Sequence, residues 1–103
     1  MATVDARAYT PEEVQDQLIG LLRQYARYWS ELPGANIKYA VEGMAFSMLV
    51  ILDGDTDLPA FDLVLRPHPD DQAFHVERGE EYYQDGMVIN ADVALHEIFA
   101  ARR

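Results

Sequence analysis

The chain has 103 residues, half of them apolar, no cysteine and a formal net charge of −10. This length allows one domain, and the apolar content argues against disorder. The absence of cysteine excludes disulfides and cysteine-based zinc or thiol chemistry, and the negative charge disfavours direct nucleic-acid binding because it repels phosphates.

No apolar run approaches the roughly 20 residues that a membrane span requires. Residues 1–5 also lack the basic and apolar parts of a signal peptide. We therefore expect a single cytoplasmic domain over residues 1–103, without a membrane partner, in which residues 1–9 form a loose arm.

The first predicted helix has a clear start. Thr10 is a good N-cap, Pro11 suits the first helical position, and Glu13 completes a capping box. Pro33-Gly34 ends the helix. Its apolar residues share one helical face: Val14, Leu18, Leu21, Leu22, Tyr25, Tyr28 and Trp29.

Residues 36–53 can be interpreted in two ways. As a strand, residues 45–52 would lead through Asp53-Gly54 into a hairpin with residues 61–66. As a helix, the segment has an apolar stripe that runs fifteen residues, whereas strands usually have about 3–10. We favour the helix. Its stripe consists of Ile37, Val41, Met44, Met48 and Ile51.

The remaining chain predicts short elements. Residues 61–66 alternate in polarity and predict a strand that pairs with residues 87–89. A short helix opens at Pro69 and ends at Gly79, and a last helix runs from an Asp92 N-cap to Ala101. The predicted fold is α+β: two packed N-terminal helices, a small antiparallel sheet of two or three strands, and short C-terminal helices.

Three groups of residues are candidates for metal binding or catalysis. Asp53, Asp55 and Asp57 begin like a calcium loop, but Leu58 and Val64 stand where that loop needs glycine and glutamate, so a solvated acidic turn is expected. His68, Asp71 and His75 could hold zinc or iron, although a helix start and a surface histidine explain them more simply. His96-Glu97 could act as a base, but no hydroxyl stands at a nucleophile's spacing, so a surface histidine is expected. We expect no catalytic residue and no cofactor.

The segment 80–85 (EEYYQD) combines carboxylates with two tyrosines, a composition suited to a protein interface. Negative charge is concentrated in the same half of the chain, because residues 53–101 hold twelve acids but only Arg66 and Arg78. The predicted partner-binding residues are Asp55, Asp57, Asp70, Asp71, Glu80, Glu81, Tyr82, Tyr83 and Asp85.

Several motifs resemble a group of short bacterial and prophage proteins of unknown function: VEGMAFSMLVILDG (41–54), LPAFDL (58–63), PHPDD (67–71), GEEYY (79–83) and LHEIF (95–99). The resemblance implies a helix over 36–53 and a phage-related setting in a bacterial host cell. It implies no activity and assigns no catalytic residue.

These observations predict a non-enzymatic protein that binds a larger protein with a basic surface. A phage-encoded inhibitor of a host defence complex, such as an anti-CRISPR protein that blocks a nucleic-acid groove, fits the small size and acidity. One alternative is a metal-binding module or metal-dependent enzyme that uses His68, Asp71 and His75. A second is a homodimer, suggested by the apolar surplus of residues 44–52 and by the aromatic face of the first helix.

Overall fold

A computed structural model describes residues 7–34 and 36–102. In these ranges the chain forms four helices: α1 Pro11–Ser30, α2 Ile37–Leu52, α3 Asp71–Glu77 and α4 Leu95–Ala101. They account for 53% of the described residues, which contain no strand. The predicted α+β class is therefore wrong. Most of the predicted arm over residues 1–9 lies outside the described residues.

The predicted start of α1 is confirmed. The Thr10 hydroxyl accepts a hydrogen bond from the Glu13 N–H at 3.2 Å, and the Glu13 carboxylate accepts one from the Thr10 N–H at 3.0 Å. Arg7 pairs with Glu13 at 2.7 Å. The Arg7 guanidinium and the Thr10 N–H lower the pKa of Glu13 to about 2. The predicted apolar face is half-buried, except for Tyr28, which is exposed.

The helical interpretation of residues 36–53 is confirmed, with the Asn36 side chain accepting the Tyr39 N–H at 2.7 Å as the N-cap. The apolar stripe is not buried as a whole. Ile37 is 84% exposed, Val41 62% and Met48 44%. Of that stripe only Ile51 is buried, and the other buried residues of α2 are Gly43 and Ser47.

Small residues determine which face of α2 meets α1. The Trp29 ring of α1 lies over Gly43, where an added Cβ would stand 2.5 Å from the ring carbons. The indole N–H donates to the Ser47 hydroxyl at 2.9 Å. The larger apolar side chains of the predicted stripe would hold the helices too far apart for this contact.

The two predicted strand segments do meet, but they form no sheet. An isolated antiparallel bridge joins Val64 and Val88. On either side, the Leu65 N–H donates to the Met87 carbonyl and the Ile89 N–H to the Leu63 carbonyl, both at 2.9 Å.

A side chain ends this pairing. The Asn90 amide oxygen accepts the Leu63 N–H at 2.9 Å, and its NH₂ donates to the Phe61 carbonyl at 2.7 Å. Asn90 thus occupies backbone groups that a neighbouring strand would otherwise use. Residues 61–66 still alternate between half-buried and exposed, as the sequence predicts.

The short helices agree only partly with prediction. Gly79, at φ +69°, terminates α3 as expected: its N–H donates to the Val76 carbonyl, and the Glu80 N–H donates to the His75 carbonyl. The predicted N-cap Asp92 is wrong, because α4 begins at Leu95 and Asp92 has a left-handed φ of 57°.

The helices form an open arrangement. α2 contacts both α1 and α4, whereas α3 packs against no other helix in the described part of the chain. Ile51 and Leu58 are the only buried hydrophobic residues among those described. The radius of gyration is 18.8 Å, against about 13 Å for a compact domain of this length. None of the described helices is both long and apolar enough to cross a membrane.

Candidate interaction surface

The junction between α2 and α4 is held by one buried carboxylate. Asp53 follows α2, and its two oxygens accept the Leu95 N–H at 2.9 Å and the His96 N–H at 2.8 Å. The His96 ring Nδ1 lies 2.6 Å from the same carboxylate, and the ring packs edge-on against Phe46. The Asp53 side chain is 3% exposed. Asp53 therefore supplies the cap that the α4 sequence lacks.

Burial alone would raise the pKa of Asp53. The hydrogen bonds from the His96 and Leu95 N–H groups, together with the His96 ring, outweigh burial and lower this pKa below its usual value. A lowered pKa in the folded state stabilises the fold above the unfolded-state pKa, about 3.9. This stabilisation is lost as the pH falls through the folded-state pKa.

We therefore expect the free energy of unfolding to decrease below about pH 4, with Asp53 contributing to the slope. Urea denaturation between pH 7 and pH 3 measures it. The Asp53→Asn variant should show a shallower pH dependence than the parent chain, whereas Asp57→Asn, at an exposed position, should retain the full slope. Equal slopes for Asp53→Asn and the parent would contradict this assignment.

The Asp53–His96 pair has a structural role. A carboxylate that orients a histidine is also a feature of catalytic triads. Within the described residues, however, no Ser or Thr hydroxyl hydrogen-bonds to His96. The prediction of an idle surface histidine is wrong, because the His96 side chain is largely buried and paired with Asp53.

The predicted metal ligands are not brought together. His68 Nδ1 accepts the Asp70 N–H at 3.2 Å, and His75 lies 3.3 Å from Glu80. Asp71 begins α3 at an exposed position. Across residues 7–34 and 36–102, no group of three or more His, Asp or Glu side chains could hold a metal ion.

The acidic turn after α2 borders an open recess of about 590 Å³ that the sequence does not predict. Gly54, at φ +82°, keeps the turn close to Ala60, and Asp55 and Asp57 remain exposed. The carboxylates that line the recess come from three separate segments: Asp53, Asp55, Asp62, Asp92 and Glu97. Only the fold brings them together, so no local pattern could have predicted the recess.

Residues 66–85 contain α3, and we call this segment the α3 loop. The loop connects the two hydrogen-bonded segments described above. At its base, the Gly86 N–H donates to the Leu65 carbonyl at 3.0 Å. Inside the loop, Arg78 donates to Glu80 at 2.8 Å and lies 4.9 Å from the centroid of the Phe74 ring. These contacts give the loop its own local order.

All nine predicted partner-binding residues are exposed. Asp55 and Asp57 lie on the turn after α2, and the other seven lie on the α3 loop. Tyr83 is 74% exposed and lines a shallow recess together with Asp71 and Arg66. Phe74, within α3, adds a further exposed aromatic ring to the loop.

Comparison with known proteins matches the chain to no family model, no curated protein and no solved structure. The resemblance to short bacterial and prophage proteins therefore stays a prediction.

Proposed function

We propose that the chain is a non-enzymatic interaction protein that binds a basic surface of a larger protein through the α3 loop. The observation that carries this proposal is the composition of the loop's surface. Exposed aromatic side chains stand among carboxylates on a segment that packs against no other described helix.

The aromatic side chains would supply the anchors of such an interface. Phe74, Tyr82 and Tyr83 are all exposed. Aromatic residues dominate binding energy when a partner's pocket covers them, and tyrosine keeps a hydroxyl for hydrogen bonding. A solvent-exposed loop without such a role would more often carry small polar residues.

The carboxylates would select a basic partner. Glu80 is paired with Arg78 and His75. Four other carboxylates of the loop form no salt bridge with a described residue, so their charge is available to a partner. They are Asp71, Glu77, Glu81 and Asp85. Complementary charge mainly accelerates association and excludes wrong partners.

A groove that normally holds nucleic acid is the kind of surface this loop fits. Its lysines and arginines are spaced to meet phosphates, and surface carboxylates can take the place of phosphates there. We therefore propose an inhibitor of a nucleic-acid-guided host defence complex, of the anti-CRISPR type, in a phage-related setting in the bacterial cytoplasm.

The test is inhibition of target-DNA binding by purified CRISPR effector complexes. We expect the parent chain to compete with DNA, and the double variant Glu81→Lys/Asp85→Lys to need at least about tenfold more protein, because attraction becomes repulsion. The matched control Asp16→Lys/Glu31→Lys changes the net charge equally at exposed positions of α1 and its C-cap. It should inhibit within about threefold of the parent.

Two further measurements separate the parts of the proposal. Inhibition by the parent should weaken as salt rises, because screening reduces the attraction. Tyr82→Ala/Tyr83→Ala should lose inhibition without a change in net charge. An equal loss in both charge variants would contradict the role of the α3 loop. Absence of competition with DNA for every complex, even at low salt, would overturn the inhibitor function.

A further inference from the structure

The chain exposes far more surface than a folded monomer of its size. Its accessible surface is 8655 Å², whereas a monomer of 11.7 kDa is expected to expose about 5,900 Å². Obligate dimers bury about 1,000–2,500 Å² on each partner. The excess, roughly 2,800 Å², is larger than the area that a permanent partner of this kind covers, so the chain has surface enough for one.

One face of α2 is open and apolar. Ile37, Val41 and Met48 lie on it, with Met44 half-buried between them. We call these four residues the open α2 face. It lies between the face that meets α1 at Gly43 and the face that meets α4, and it contains no charged residue. Such a continuous apolar stripe is typical of a helix that packs against another helix.

We propose that a second copy of this chain covers the open α2 face, with the two α2 helices antiparallel across a two-fold axis. In a two-fold interface the same patch faces itself. An axis near Met44 places Val41 of each copy opposite Met48 of the other. An uncharged apolar stripe is complementary to itself, whereas the basic partner of the α3 loop would gain nothing from it.

Charge at the ends of α2 favours the antiparallel arrangement. Lys38, in the first turn, is the only base in α2, and the exposed Asp55 and Asp57 follow its last turn. Antiparallel helices bring Lys38 of each copy towards these two carboxylates of the other. A parallel pair would instead place the two acidic turns side by side, which two chains of net charge −10 disfavour.

The test is the mass of the full chain in solution, measured by sedimentation equilibrium and light scattering between 1 and 100 µM, in the range where specific dimers form. We expect a dimer for the parent and a monomer for Val41→Glu/Met48→Glu. The matched control Ile19→Glu changes an exposed apolar residue of α1 outside this face and should remain dimeric. A monomeric parent at the highest concentration, or a dimeric Val41→Glu/Met48→Glu, would overturn the proposal.

A charge exchange keeps the proposal testable if the glutamate variant does not fold. Lys38→Glu should weaken the dimer at least about tenfold, and adding Asp55→Lys/Asp57→Lys should restore it. Failure of the triple variant to recover would contradict the antiparallel arrangement. Glu81→Lys/Asp85→Lys should remain dimeric, so this test and that of the proposed function can fail separately.

Discussion

Replacing Asp53 by alanine is expected to lower the free energy of unfolding by about 3 kcal/mol at pH 7. The substitution removes the shared acceptor of the Leu95 and His96 N–H groups and of the His96 ring. Partly buried donors without an acceptor cost more than the bonds themselves contribute. Urea denaturation monitored by Trp29 fluorescence, at fixed protein concentration, measures the change.

Asp92 offers the matched control, because its position in the sequence predicts that Asp92 is the N-cap of α4. Asp92→Gly removes the carboxylate and tolerates the left-handed φ of 57°. We expect it to change the free energy of unfolding by less than about 0.5 kcal/mol. If Asp92→Gly proved more destabilising than Asp53→Ala, the assignment of the cap to Asp53 would be wrong.

Two glycine-to-alanine substitutions are expected to change the free energy of unfolding in opposite directions. At Gly43, a Cβ would stand 2.5 Å from the Trp29 ring, which would push α1 and α2 apart and disturb the Trp29–Ser47 hydrogen bond. Overpacking of this kind costs about 1–3 kcal/mol, and the gain of about 1 kcal/mol in helix propensity offsets it only partly. Gly43→Ala should therefore be net destabilising, by up to about 2 kcal/mol.

Gly20→Ala is the internal reference. Gly20 lies inside α1, and nothing stands within 4 Å of its added Cβ. This substitution should raise the free energy of unfolding by about 0.5–1 kcal/mol. Urea denaturation gives both values, and the indole N–H proton signal of Trp29 should shift only for Gly43→Ala. Equal stabilisation by both substitutions would disprove the tight contact at Gly43.

The predictions that succeeded rest on local chemistry. The capping box at Thr10 and Glu13, the end of α3 at Gly79 and the alternating polarity of residues 61–66 all depend on neighbours within a few residues. The apolar stripe of residues 36–53 is longer than a strand accommodates, and this length predicts the helix. Predictions of this kind hold because no distant group competes for the same atoms.

The predictions that failed depend on distant side chains. The buried face of α2 is set by the Trp29 ring, which selects Gly43 and Ser47 instead of the larger apolar residues. The predicted sheet does not form, because the Asn90 side chain hydrogen-bonds to the Leu63 N–H and the Phe61 carbonyl. Residue type predicted the exposed acidic and aromatic residues of the α3 loop, but the acidic recess exists only in the folded chain.

The capping of α4 by Asp53 also has a consequence for folding. A helix of seven residues is too short to persist alone in water, and Ala94 at its start offers no side-chain cap. The backbone N–H groups of its first turn donate to a carboxylate that lies 42 and 43 positions earlier in the chain. Formation of the C-terminal helix is therefore conditional on a completed α2, and the second half of the chain cannot order this element independently of the first.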